Sequence, residues 1–488
     1  MNETKVKGIK MKFSFANAVK NSKILTYTIS PDNMQRHWTR SIIFDVLDSV
    51  LNWPLSLLKK IYGKLENVFE NSISVRILRF FTDRLHIIMA LALAASLLIP
   101  YHKWYNKYGV FMVAIIFVLF IFRVMITPRT RVDLASVDYM AILFFLSILM
   151  AGILSLFPGE SFNYLVYYFI TFLSMIMLIS CVESGNELEI FVKIIALAIF
   201  LTAIYGVYQW KVIGISVDPS QTDLTLNKDL GGRVFSTMGN SNVYGELLVL
   251  TIPFIAALFL NEKKLYLKIF WLILFAPIML MLLKTGSRSS WIAFAISAFI
   301  FVFFWNKKLI PLLLLLGIIA VPLLPSSIYK RILTIFNSND SSLNYRFKIM
   351  KSALAMLRDY WLAGVGLGAR VVETIFQRYK AFGVTKAAHS HNLFIQIWLE
   401  AGISAVVTLL AMLIRFVKNT FIAVREKTNP AAVNILLAAL SSIIGLMVMG
   451  LADHVWFYNR ILYMFWIDVA IFLAALKLIR KPAENQQA

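Results

Sequence analysis

"HNLFIQIWLEAGISAVVTLLAMLI", residues 391–414, is the stretch that decides the fold. Past its first residue it carries one charged side chain, Glu400, and about 20 consecutive apolar residues are enough to cross a bilayer core. Apolar runs of this kind recur from about residue 86 to the C-terminus. The 488-residue chain is 59% hydrophobic and 15% charged, with a mean hydropathy of +0.73. Soluble domains carry roughly 25% charged residues. The sequence therefore predicts an all-α, polytopic integral membrane protein.

Composition also excludes several function classes. Cys181 is the only cysteine, so neither an intrachain disulfide nor a thiolate metal cluster can form. The net charge of +22 would point to nucleic acid in a soluble protein. In a membrane protein, Lys and Arg collect in inside loops and beside anionic headgroups. No basic-aromatic module is present, so the expected partners are membrane lipids and not nucleic acid. Residues 1–40 are polar and basic, and no cleavable signal is expected there.

Twelve apolar segments are read at roughly 86–101, 109–127, 137–157, 161–182, 189–209, 243–260, 266–283, 291–305, 308–324, 391–414, 432–450 and 457–478. Residues 1–85 form a basic region with 14 Lys/Arg against 7 Asp/Glu. Within it, Ile42, Val46, Val50, Trp53 and Leu57 share one helical face, as in an interfacial amphipathic helix. Residues 86–324 hold the first nine spans, 325–390 a long outer loop, 391–480 the last three spans, and 481–488 a tail. With the N-terminus inside, the short basic loops at 123–133, 261–264, 306–308 and 415–427 also fall inside. The 210–242, 284–290, 325–390 and 451–456 regions then lie outside. The long loop holds 10 Lys/Arg against 3 Asp/Glu, which hints at an anionic ligand. Its stretch 344–361 has helical apolar spacing, so the loop is expected to be partly helical.

Chemistry-bearing residues cluster in those outer regions. His389 and His391 lie at the outer start of a span, where the helix dipole disfavours imidazolium, and a neutral imidazole can serve as a general base. The plainer alternative is a pair of interfacial histidines bonded to headgroups or carbonyls. A metal pair is disfavoured, because H-x-H suits zinc poorly on a helix and no third ligand is near in sequence. Arg233 in "GGRVFSTMGNSN" and Arg288 in "KTGSRSSW" could fork onto phosphate oxygens, or simply anchor to lipid. "GVGLGA" (364–369) reads as a close-packing glycine turn and not a nucleotide loop. Glu400 and Asp468 lie within spans, and Asp453 and His454 could line the same outer mouth.

"HSHNLFIQIWLEAGI", preceded by "LAGVGLGA" and a helix opened by Arg346, resembles the C-terminal signature of the bacterial O-antigen ligase/polymerase superfamily. "GSRSSW" and "RVFSTMGNSN" resemble its two arginine motifs. The resemblance covers roughly residues 200–460; the 85 residues at the N-terminus exceed what the family leads one to expect. It implies transfer of an oligosaccharide from an undecaprenyl-diphosphate-linked donor onto a glycan or glycolipid acceptor, with inversion and without cofactor, nucleotide or metal. The place is the outer face of the bacterial cytoplasmic (inner) membrane, multi-pass. Arg233 and Arg288 would hold the diphosphate, and His391 would deprotonate the acceptor hydroxyl. Arg346 and His389 would support substrate binding. The competing reading is a transporter or flippase of polyprenyl-linked glycans, with Asp468 serving ion coupling. Transporters, however, place their key polar groups near the midplane in repeated, broken helices, and no repeat is evident here. Reporter fusions at residue 84, near 426 and at the C-terminus should read inside, and one near 340 outside. An inside reading at 340 would remove the proposed active face.

Overall fold

The computed structural model describes residues 31–69, 72–127, 130–217, 232–323, 328–329, 341–426 and 428–480. No strand occurs among them. We number the helices α1 (Pro31–Thr39), α2 (Ile42–Phe69), α3 (Ile73–Asp83), α4 (Leu85–Leu98), α5 (Asn106–Ile126) and α6 (Tyr139–Ile153). Next come α7 (Pro158–Cys181), α8 (Gly185–Tyr208), α9 (Ser241–Asn261), α10 (Leu265–Lys284), α11 (Arg288–Asn306) and α12 (Ile310–Leu323). The last five are α13 (Ser341–Tyr360), α14 (Ala369–Phe376), α15 (Leu393–Glu426), α16 (Pro430–Met449) and α17 (Asn459–Arg480).

Each of the twelve apolar segments coincides with a helix, α4–α12 or α15–α17. By length and composition nine helices among the described residues could cross a membrane, or ten if the α3–α4 pair, bent by 65°, is one span. The difference from twelve has plain causes. α6 has only 15 residues, and α11 runs on through a tight turn into α12, giving a single apolar run, Arg288–Ile319. The centre of the bundle is α9, α16 and α17, in whose most apolar stretches 83%, 83% and 89% of residues are buried; for α11–α12 the figure is 6%. The peripheral helices therefore present their side chains to lipid.

The basic residues used to orient the chain gather at one end. Arg415 Nε donates to Asp138 Oδ2 at 2.8 Å with both side chains buried, and Lys477 Nζ meets Asp133 Oδ2 at 3.0 Å. Arg123 donates to the carbonyls of Thr82, Asp83 and Cys181, tying the α3–α4 bend to the ends of α5 and α7. α2 lies against this end: its Asn52 exchanges hydrogen bonds with the Val132 backbone. Ile42, Val46, Val50, Trp53 and Leu57 of α2 stay exposed, as an interfacial helix requires.

At the opposite end, α13 and α14 build a small core of their own, with Ile349, Met356, Val372 and Phe376 buried. This subdomain joins the bundle through a break in α15. Val365 and Gly366 N–H groups donate to the carbonyls of Leu399 and Glu400 at 2.7 and 3.1 Å, and Ile403 N–H donates to Trp361 O at 3.0 Å. The 361–366 backbone thus takes over hydrogen bonds that an unbroken helix would make to itself. Gly402 makes this possible at φ 75°, and a Cβ there would lie 2.0 Å from Leu362 O. The close-packing reading of "GVGLGA" has its counterpart in this seam. Gly402→Ala combines left-handed strain, worth about 1–3 kcal/mol, with a backbone clash, so it should lower the thermal midpoint in detergent well beyond an Ala substitution on the lipid face of α12. A melting curve matching wild type would show that the seam does not carry the junction.

Candidate active site

The loop before α15 is held in a specific shape. Asn392 caps the helix, accepting from Ile395 N–H at 3.0 Å through its side-chain oxygen, while its amide donates to Leu451 O at 2.9 Å. Ser390 N–H donates to Gln396 Oε1 at 2.8 Å, and Gln396 in turn donates to Glu400 Oε1 at 2.7 Å. Between these anchors His391 adopts φ 53°, a left-handed conformation unusual for a residue with a Cβ. Its N–H donates to His389 Nδ1 at 3.3 Å, and the two rings meet edge to face at 4.2 Å.

The turn between α16 and α17 supplies the partner. His391 Nδ1 lies 3.2 Å from Asp453 Oδ1. Asp453 Oδ1 also accepts the backbone N–H of His454 at 2.9 Å. Its other oxygen faces Arg346 Nη2 at 3.7 Å, and Arg346 Nη1 donates to Ala452 O at 2.9 Å. Burial works to raise the Asp453 pKa, but the hydrogen bond from His391 and the Arg346 charge outweigh it and hold the carboxyl below its usual range. An ionised carboxylate only accepts, so His391 Nδ1 carries the hydrogen between them, and in a neutral ring the lone pair then belongs to Nε2. With Nδ1 directed at Asp453, a neutral His391 ring has Nε2 as its proton acceptor.

Two more imidazoles stand behind it. Burial, then the neighbouring His391 ring, push His389 down to about 4. Burial, then His389, push His454 down to about 3. His389 lies 5.7 Å from the His454 ring and 4.9 Å from Phe457.

The first arginine motif folds onto the same end. Arg233 Nε donates to Thr285 O at 2.7 Å, and Nη2 donates to Asn242 Oδ1 at 2.5 Å. Asn240, the cap of α9, accepts from the N–H groups of Asn242 and Val243. Arg233 side-chain atoms approach Gly286, whose φ is 60°. Arg288 opens α11 beside Ser287 and Ser290, and Ser290 reaches Met449 Sδ at 3.5 Å. The second arginine motif therefore abuts Met449, where the turn carrying Asp453 begins, and the first meets the second at Thr285 and Gly286.

The structure brings His389, His391 and Arg346 together around Asp453, and joins Arg233 and Arg288 through Thr285–Ser290. Sequence reasoning left Asp453 as a residue of the mouth and missed its pairing with His391. The available signal was an Asp-His dipeptide in a short outer turn. The sequence argument against a metal, that no third ligand is near, does not hold in space: ligand atoms of His389, His391 and Asp453 lie within 4.8 Å of one another. Asp468 is fully buried, and neither carboxyl oxygen has a hydrogen-bond partner among the described residues.

Fold and site define a multi-pass membrane protein whose basic and imidazole groups converge at one end of a helical bundle. Residues 270–410 match the family model described as O-antigen ligase, and this match supports the O-antigen ligase/polymerase superfamily for that segment. The match includes Arg288, Arg346, His389 and His391; Arg233 and Asp453 lie outside it. No curated protein matches the chain.

The histidine shifts fix a pH dependence. Unfolded imidazoles titrate near about 6.5, above the folded values of about 4 and about 3 for His389 and His454. The unfolded state therefore binds more protons in that window, so these groups cost nothing above about pH 6.5 and destabilise progressively below it. The thermal midpoint in detergent should fall between about pH 7 and about pH 5, and His454→Phe should flatten the fall. The same slope in both proteins would reject a buried neutral His454.

Proposed function

We propose that the protein transfers an oligosaccharide from a polyprenyl-diphosphate-linked donor, undecaprenyl diphosphate by resemblance, onto an acceptor hydroxyl at the extracytoplasmic face. The observation that carries this reading is the His391–Asp453–Arg346 row, lying at the same end of the bundle as the two arginine motifs. Arg233 and Arg288 hold the diphosphate, since guanidinium forks match phosphate oxygens, and the start of α11 adds backbone donors. The acceptor hydroxyl gives its proton to His391 Nε2. Its oxygen forms the new bond at the anomeric carbon, while the carbon–oxygen bond to the diphosphate breaks and the lipid diphosphate leaves as the anion. Attack opposite the leaving group inverts that carbon. Asp453 keeps the imidazole in the required tautomer and stabilises the imidazolium, and Arg346 fixes Asp453. No step needs a metal ion or nucleotide.

A second reading, a flippase for polyprenyl-linked glycans, draws on Asp468, a buried carboxyl without hydrogen-bond partners among the described residues. The two are separated by whether a new glycosidic bond forms. Purified protein, a lipid-diphosphate oligosaccharide and candidate acceptors, incubated in excess chelator without nucleotide, should give a product of summed glycan mass by mass spectrometry. His391→Ala should lose about 10²-fold or more in turnover, the scale of a general base, yet bind donor normally. His389→Ala should lose less. Full turnover in a folded His391→Ala protein would defeat the general-base assignment, and lipid translocation in vesicles without any product would favour the flippase.

A further inference from the structure

The row that would act on a hydroxyl proton also has the composition of a metal site. His391 Nδ1 and Asp453 Oδ1 stand 3.2 Å apart. Adjacent ligands of a tetrahedral ion with bonds of about 2.1 Å are separated by about 3.4 Å. His389 brings the third donor, the whole set lying within 4.8 Å. Arg346 approaches the other carboxylate oxygen, Oδ2, so Oδ1, which also accepts the His454 N–H, has its second lone pair for an ion while the guanidinium steadies the carboxylate as an outer partner. A third imidazole, His454, stands 5.7 Å from His389 ring to ring, and its buried Nδ1 has no hydrogen-bond partner among the described residues. Imidazoles with one carboxylate suit borderline ions such as Zn²⁺, Ni²⁺ or Cu²⁺, whereas Mg²⁺ and Ca²⁺ prefer all-oxygen sets.

We infer that His389, His391 and Asp453 form a binding site for a borderline divalent metal ion, and that occupancy switches the site off. The consequence follows from the tautomer. An ion on Nδ1 needs the lone pair there, so the single ring proton of a neutral His391 moves through solvent to Nε2. Nε2 then has no lone pair for the acceptor proton, and Asp453 is drawn from the ring to the ion. The inference rests on the proposed role of His391 for its effect on turnover, but the binding itself does not depend on that role.

Binding is therefore measured first, without substrate. Zn²⁺ titrated by calorimetry into untagged protein in detergent, and Co²⁺ followed by its visible bands, should report one saturable site. Zn²⁺ should raise the thermal midpoint, because an ion that binds only the folded state stabilises it. His391→Ala should abolish the site, and His389→Ala or Asp453→Asn should weaken it by at least about tenfold, no less than the loss of an outer-shell partner costs. In the transfer assay Zn²⁺ should inhibit over the same concentration range, and chelator should restore turnover. Stoichiometry and affinity unchanged in all three variants would overturn the inference, leaving the ions on His37, His86 or His102. Tight binding at the site without inhibition would overturn the switch. Transfer abolished by chelator and restored by Zn²⁺ would instead overturn the metal-independent reaction, with the binding results still standing.

Discussion

Four consecutive residues at the α16–α17 turn hold the site together. Gly450 O accepts Leu393 N–H at 2.7 Å, Leu451 O accepts the Asn392 amide, and Ala452 O accepts Arg346. Asp453 then takes His391 and Arg346 on its two oxygens. Two separate parts of the chain, the start of α15 and the helix α13, are fixed to this one run of backbone. Such a clasp works because backbone carbonyls leave little freedom once their helices are packed, and α16 is among the most buried elements of the bundle. The close contact also explains Gly450, where a Cβ would press on Leu393 at 3.0 Å. A side chain here would push the start of α15 away from the turn.

Much of this organisation is legible in the sequence, for physical reasons that differ by element. Spans are visible because a bilayer demands long apolar runs, and the start and end of α9, α16 and α17 lie close to the expected segments. The number of spans is harder to read, because α6 is short and α11 runs into α12, and neither feature changes local hydropathy. The helix α13 shows in the apolar spacing of 344–361, and the seam in the glycines of 364–368. The pairing of Asp453 with His391 could not be read, since it joins residues far apart in sequence through the folding of α16 back along α15. Gly402 likewise looks like an ordinary span glycine; its role appears only when the 361–366 backbone is seen occupying the break.

The two ends of the bundle solve opposite problems. At one end Arg415 is closed by Asp138, Lys477 by Asp133 and Arg123 by three carbonyls. Breaking one partner of a buried pair typically costs about 3–5 kcal/mol, so this end resists rearrangement. At the other, Asp453 is set against His391 and Arg346. Arg233 donates to two neutral acceptors, Thr285 O and Asn242 Oδ1. Neutral acceptors position a guanidinium without cancelling its charge.

Backbone strain singles out the same regions independently. Among the described residues only Ser236 and His391 have positive φ without being glycine. Ser236 belongs to the first arginine motif, and it is held by Gln209 Oε1 on its N–H and by Thr202 O on its hydroxyl. His391 belongs to the histidine motif and is held by His389, Ser390 and Asn392. Each such conformation costs on the order of 1–3 kcal/mol and survives only where surrounding bonds over-determine it. A glycine would relieve the strain at 236 at the cost of the hydroxyl bond to Thr202 O, whereas at 391 it would remove the imidazole along with it. The two sites therefore differ in kind. Strain at Ser236 lies in the turn that carries Arg233, and strain at His391 turns its ring toward Asp453 on Nδ1, leaving Nε2 for the acceptor hydroxyl in the proposed reaction.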